Sequence, residues 1–476
     1  MDRRTIHSIE EYKVGVINVA GTKTRIDTLI DYVKNRVEAI CDDWAIKTIL
    51  KNQNQIRFSE SQIDISKNWN EIKFELFLSR KRRTIDISLN DLRYQTIDKT
   101  IEYCDKLLKM GKLNLNYKRM AEGPFDYDIS IQDKIFDKKV VNLDEKAVDL
   151  VNVGIQAAIE EGAYRVAGSF FYGDSWIAQT NSFGLKGEFT RTNLNFRIRA
   201  FAKDMYATGE SLTCSTHLDH GFDVIASGEE AGQICRQAIG GKKGIPGTYN
   251  IIIYPKVTTE LQAPTPALAM NAYTQKMGLA WLVGKKEGDE IANEKLSIWD
   301  DGTIDYGLAT APFDDELIPR QKTLLVDNGV LKTFFNNSSL SKKDNLSTGN
   351  AGITVPKPTN TVFSSGDYSL EELMEITEKP TILITSTWYT RYQSYAPPAA
   401  LSSLPKDGMF LVKKRGKVLE PIRELRINSD HYHMLKRTTA LGKKLKQVST
   451  WLSTSENPVF APYMLIEDIY MSTGTA

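Results

Sequence analysis

Between Arg25 and Ile40 the apolar residues Ile26, Leu29, Ile30, Val33, Val37 and Ile40 recur every three or four positions, which predicts a helix with one buried face. A second helix is expected from Ser88, where Asp91 stands three residues on as a capping-box partner, to about Met110. A third, from Asp144 to Glu161, puts Ala147, Leu150, Val151, Ile155, Ala158 and Ile159 on one side. Alternation predicts half-buried strands at Ile72–Phe77 and Leu194–Phe201. The 175–203 stretch reads as two strands joined through Asn181-Ser182-Phe183-Gly184, with Gly184 free to take positive φ. Ser227 and Glu230 form another capping-box pattern ahead of the helix that carries Cys235 to Ile239.

Gly240-Gly241-Lys242-Lys243-Gly244-Ile245-Pro246-Gly247 breaks this pattern and sets the expected domain boundary, 1–243 against 244–476. Beyond it come a compact apolar strand at Tyr249–Tyr254 and a helical segment over Pro266–Leu282, entered through Pro264 and Pro266. Thr323–Phe335 reads as a hairpin closed by Asn328-Gly329, and Phe410–Leu419 as another turning at Arg415-Gly416. The expected class is α+β: an N-terminal α/β domain followed by a predominantly antiparallel β-barrel-like C-terminal domain.

A length of 476 residues accommodates two or three cores. Hydrophobic residues at 41% and charged residues at 25% are ordinary for globular chains, and a net charge of +1 gives no overall attraction to nucleic acid or an anionic membrane. The Lys81-Arg82-Arg83 triplet reads as a solvated strand end or turn. Cys41, Cys104, Cys214 and Cys235 lie far apart without Cys-x-x-Cys spacing, which fits a reducing cytoplasmic setting. The apolar patch Val14–Ala20 is too short and polar for a signal peptide, and no later run approaches the ~18–20 apolar residues of a membrane span.

Chemistry concentrates in the second half. Pro312-Phe313-Asp314-Asp315-Glu316 is an acidic cluster, but consecutive residues of an extended chain point to opposite faces, so Asp314 and Asp315 would not converge on one cation without a turn. Ser347-Thr348-Gly349-Asn350-Ala351-Gly352 lacks the lysine of a phosphate-binding P-loop. Thr387-Trp388-Tyr389-Thr390-Arg391-Tyr392 joins aromatics to a cation, a composition suited to gripping a peptide or lining an interface. His217 and His220, with Cys214 nearby, would share a face on a helix and form a metal site there, but the segment is not helical in pattern. His431 and His433 fall where a helix starts.

The acidic cluster, the Asn328-Gly329 hairpin and the Ser347–Gly352 run, in that order, resemble the C-terminal domain of the TldD/TldE (PmbA) family, whose members assemble into a two-subunit zinc-dependent peptidase. The resemblance also covers Lys406-Asp407-Gly408, Pro421–Ile427 and Tyr463–Ile469, and in the first half the Asn181–Gly184 turn. It departs at Ala396–Ser402, where the family carries a glycine-aspartate-aromatic-serine run. In catalytic members a histidine-glutamate-x-x-x-histidine helix follows the strand matching Tyr249–Tyr254. Those histidines fall on or beside Ala263 and Leu268, and where a C-terminal cysteine is expected this chain has Ser449-Thr450.

The resemblance therefore implies a TldE/PmbA-type subunit with no catalytic or metal residues of its own. Zinc is expected on a TldD-type partner in a heterodimer that degrades or processes short or unfolded peptides, with no nucleic-acid or membrane partner. Asp314, Asp315, Glu316, Thr348, Gly349, Asn350, Trp388, Tyr389 and Arg391 are the candidates for lining the peptide cavity or the subunit contact. The alternative is a stand-alone peptide-binding or peptide-maturation factor. A hydrolase with its own serine or cysteine nucleophile lacks both the glycine-flanked elbow and a base.

Overall fold

The computed structural model describes residues 19–341, 347–393, 397–449 and 457–474. His7, most of the Val14–Ala20 patch, Ala396 and Thr450 lie outside them. Six strands, β1 (Asp43–Ser59), β2 (Gln62–Arg80), β3 (Arg83–Leu89), β4 (Arg165–Asn181), β5 (Lys186–Phe201) and β6 (Thr208–Ser215), form an antiparallel sheet in the order β3-β2-β1-β4-β5-β6. The four long helices cover one of its faces. The Val19–Val37 helix buries Ile26, Leu29, Val33 and Val37, and the Tyr94–Met110 helix buries Ile97, Ile101, Cys104 and Leu108, both in one cluster with Trp44, Ile46, Leu50, Phe74 and Leu78. Further along that face, Val151, Ile155 and Ala158 of the Lys146–Glu160 helix, and Ala231 and Cys235 of the Val224–Gln237 helix, pack over Phe58, Val166, Phe170, Phe196 and Ile198. Because side chains alternate along a strand, the opposite face carries Lys51, Gln53, Ser175 and Arg191 together with an apolar patch of Ile49, Ile177 and Phe189 that packs on Phe313, Leu317 and the short Ile131–Ile135 helix.

In that half, strands Thr381–Tyr392, Gly247–Ile253, Met464–Thr473, Leu425–Asp430 and Ala400–Lys413 pair in that order, and the last pairs back with the first. The result is a closed five-stranded barrel, antiparallel except between Thr381–Ile384 and Asn250–Ile253. Its interior holds Ile251, Ile253, Ile382, Ile384, Ile427 and Ile466. A second six-stranded sheet, which includes Ile298–Asp301, Lys322–Asp327 and Thr361–Phe363, packs beside it. The α+β class with a barrel-like C-terminal domain is the observed fold. No helix among the described residues is long and apolar enough to cross a membrane.

Turns that depend only on neighbouring residues fall where their sequence places them. Asn328 and Gly329 take φ of 45° and 80° between strands Lys322–Asp327 and Val330–Leu331, and Gly184 takes 80° between β4 and β5. Lys81 and Arg82 form the tight turn between β2 and β3.

Three expectations fail. Ser88 lies inside β3, opposite Glu75, and the helix starts only at Tyr94. Ser227 is inside its helix, whose N-cap is Asp223, accepting from the Ala226 N–H at 2.9 Å; Glu230 is drawn away to Ser211 and Lys446. The Pro266–Leu282 segment is not one helix but a π-helical turn at Thr265–Ala269 and a short helix at Ala272–Lys276, preceded by an unforeseen helix at Pro255–Leu261.

Candidate functional site

The acidic motif splits its three carboxylates among three tasks. Asp314 is buried; its Oδ1 accepts the N–H groups of Glu316 (2.8 Å) and Ile318 (3.0 Å), and its Oδ2 that of Ala351 (2.9 Å). Burial pushes its carboxyl up to about 6, against the pull of Arg320 and these amides. Glu316 Oε2 accepts from the N–H and hydroxyl of Ser338 at 3.0 and 2.5 Å, while Oε1 is buried with no hydrogen-bond partner among the described residues. Asp315 turns the other way and meets Lys47 of β1 at 2.7 Å and Lys357 at 3.4 Å. Burial works against its charge, yet Lys47 and Lys357 hold it below the usual carboxylate range. The motif thus fastens two loops to each other and joins the C-terminal half to the first sheet.

Burial, with the adjacent Asp314 charge, pushes Glu316 up to about 8. A carboxyl whose native pKa exceeds its unfolded value favours folding while protonated. That contribution is complete below the unfolded value of ~4.3 and is lost as pH climbs toward about 8. Glu316→Gln is therefore expected to melt several degrees above the parent at pH ~9 and to lose that advantage near pH ~5. Parallel melting curves across pH would contradict it.

Thr348, Gly349 and Asn350 belong to the same assembly. Thr348 exchanges hydrogen bonds with Asn336 through its amide (3.2 Å) and hydroxyl (2.9 Å). Gly349 sits at φ 70°, where an added Cβ would lie 2.6 Å from the Pro319 carbonyl oxygen, and its own carbonyl accepts from Arg320 at 2.7 Å. The Asn350 amide donates to the buried Asp300 carboxylate, which also accepts from the N–H and hydroxyl of Thr359 at 2.7 Å each. These contacts lock the loop.

Trp388, Tyr389 and Arg391 stand apart from this assembly. Trp388 and Tyr389 are about half exposed, at 54% and 50%. Trp388 borders a cavity of about 570 Å³ that also meets Arg57, Arg197, Arg199, Glu210 and Lys256. Its ring is 5.5 Å from the Arg199 guanidinium and 5.2 Å from the Lys406 ammonium, within cation–π range. Tyr389 and Arg391 face solvent.

Ala263 and Leu268 line one small cavity of about 170 Å³ with Thr259, Ala267 and Tyr392. Neither offers an atom that binds zinc, so the residues present do not fit the metal of the catalytic members. Nearby His431 stacks on Tyr392 and meets the Thr265 hydroxyl at 3.4 Å; burial depresses its pKa to about 4. His220 stacks on Tyr306 at 4.0 Å, and Cys214 points instead at the Gln447 carbonyl. No group of three or more His, Cys, Asp or Glu able to hold a metal occurs among the described residues.

Residues 246–473 match the PmbA/TldA metallopeptidase C-terminal domain. The C-terminal half of the chain is thus a PmbA/TldD-type domain. An uncharacterized protein of Methanocaldococcus jannaschii is 28% identical over 290 residues, 59% of this chain and 68% of that protein. Two further relatives, named metalloproteases, are matched over 22% and 37% of their own length. A Thermotoga maritima structure described as a candidate modulator of a DNA gyrase superposes with a TM-score of 0.79 at 20% identity, over 93% of this chain and 100% of that one. TldE from Thermococcus kodakarensis superposes at 0.77 and 16% identity over the same shares.

Sequence reading missed the partners that give the site its electrostatics: Lys47, Arg320 and Lys357 around Asp315, and Arg197, Arg199 and Lys256 around Glu210. They lie up to 310 positions apart in the chain (47 to 357), and only the tertiary fold brings strand, helix and loop residues together.

Proposed function

We propose that this chain is the zinc-free, TldE/PmbA-type subunit of a cytoplasmic two-subunit peptidase acting on short or unfolded peptides. The zinc, its bound water and the general base come from a TldD-type partner. This chain supplies chamber walls and loop contacts. The observation that supports the reading is that Ala263 and Leu268, on or beside which the resemblance sets the two imidazoles of catalytic relatives, line one cavity and offer no metal ligand.

The test is to purify the chain with and without a TldD-type subunit from the same source, and to measure complex mass, zinc content and cleavage of an unfolded peptide. A one-to-one complex with zinc and activity only in the mixture is the expected result. Zinc and cleavage by this chain alone would sink the reading; tight peptide binding without any complex would favour the stand-alone binding factor instead.

A further inference from the structure

The cavity of about 170 Å³ at Ala263 and Leu268 has apolar walls, completed by Pro264, Ala267, Pro358 and Val459, and no charged side chain among the described residues that line it. Two of its polar neighbours spend their hydroxyls on the main chain: Thr259 donates to the Lys256 carbonyl at 2.7 Å, and Tyr392 to the Glu260 carbonyl at 2.6 Å. Thr361 and Asn457 add the remaining polar lining.

A wide backbone turn shapes one wall. The Met270 N–H bonds to the Thr265 carbonyl at 3.2 Å and closes the π-helical turn Thr265–Ala269, which carries Ala267 and Leu268. Such turns are rare and concentrate at functional sites. Side chains take up carbonyls of this turn, the Thr274 hydroxyl that of Leu268 and the Gln275 amide that of Ala269, the latter at 2.7 Å. The buried Thr265 hydroxyl meets His431. The wall is therefore held in shape before any ligand arrives, and the short side chains of Ala263 and Ala267 leave the space open.

The pocket also adjoins a larger space. Pro358 and Asn457 line a second cavity, of about 350 Å³, between Ile49, Ser175 and Ile177 of the first sheet and Leu308, Ala309 and Phe313 of the C-terminal half. A peptide running through that space can drop one side chain into the smaller pocket. An apolar cavity of about 150 Å³ holds one benzene-sized group, so the fit is to an aliphatic or phenyl side chain and not to an indole.

We propose that this pocket binds a single medium-sized apolar side chain, leucine being the type, of a peptide whose main chain lies in the larger cavity. The walls gain by removing that side chain from water, and a charged residue is rejected because nothing in the pocket offsets its desolvation. A main-chain track with side-chain pockets beside it is a recurring division of labour in the recognition of extended peptides. The inference deepens the peptide-processing reading and rests on it for the ligand's class, but it concerns binding by this chain alone.

The test uses fluorescence anisotropy on the full chain without a partner. The probes are labelled peptides of one sequence that differ at a single central position, with Leu, Asn, Asp or Trp there. The Leu peptide is expected to bind roughly tenfold tighter than the Asn peptide, with Asp and Trp no better than Asn. Ala267→Phe fills the pocket and is expected to bring the Leu-to-Asn ratio close to one. Leu268→Ala widens it and is expected to raise the affinity for the Trp peptide, a gain that a merely destabilised chain would not show. Thermal melting verifies the fold of both variants, and either folded variant is sufficient for the test. Equal binding of Leu and Asn peptides by the parent, binding of neither, or ratios unmoved in a folded variant would overturn the proposal. Since neither zinc nor cleavage nor a partner enters the readout, this result is separable from failure of the subunit assignment.

Discussion

Replacing Asp314 with alanine is expected to lower stability by about 3–5 kcal/mol, the largest effect of any single change in the acidic motif. One buried carboxylate accepts three backbone N–H groups, at 2.8, 3.0 and 2.9 Å, two from its own turn and one from the Ser347–Gly352 run. Truncation strands all three amides away from water, and each buried orphan costs roughly 1–3 kcal/mol. It also removes the contact that holds Ala351, so the loop carrying Gly349 and Asn350 should loosen with it. Asp314→Asn keeps the volume and one acceptor and should cost less than alanine. Urea denaturation of both variants, with hydrogen exchange at 347–352, tests this; a loss below about 1 kcal/mol for alanine would mean that the amides find other partners.

Legibility followed the range of the forces involved. The Asn328-Gly329 turn, the Gly184 turn and the apolar faces of the Val19–Val37 and Lys146–Glu160 helices depend on neighbours within a few residues, and each is where the pattern placed it. The capping boxes at Ser88 and Ser227 failed because their residues had stronger distant claims: Ser88 is paired with β2, and Glu230 with Ser211 and Lys446. The length of β1 and β2 was hidden for a related reason. Lys51-Asn52-Gln53-Asn54 has no apolar alternation, yet these residues are strand, with Asn52 and Gln53 buried and Asn52 bonded to the buried Asp174.

The candidate residues divide in the same way. Spacing alone implied that Asp314 and Asp315 would part, and they do, toward Ala351 and toward Lys47. What spacing could not give is the partner of either. The cations of the first sheet are further beyond reach, since Lys47, Lys51 and Arg57 are separated by Ile49, Gln53 and Gln55, and only the intervening β4 sets Arg191 and Arg197 of β5 in line with them.

Glu210→Gln is expected to be nearly as damaging as Asp314→Ala, at about 3–5 kcal/mol, for the opposite electrostatic reason. Glu210 is a buried anion between Arg197, Arg199 and Lys256, and the Ser386 hydroxyl also approaches it at 3.4 Å. Burial alone would raise its pKa, but the Lys256, Arg199 and Arg197 charges override that and hold the carboxyl well below its ordinary range. A carboxyl with a depressed native pKa stabilises the fold above its unfolded value and loses that contribution as pH falls toward the native one. The neutral amide leaves three cations facing one another without the carboxylate they share, while Asp407 stays beside Arg199 at 3.1 Å. Parent and variant should therefore differ most at neutral pH and converge in acid; Glu316→Gln also converges in acid, but with the opposite sign, since there the variant is the more stable partner. Urea midpoints between pH ~3 and ~8 would measure this; a constant difference across that range would show that packing of the side chain, not its charge, is what the cluster needs.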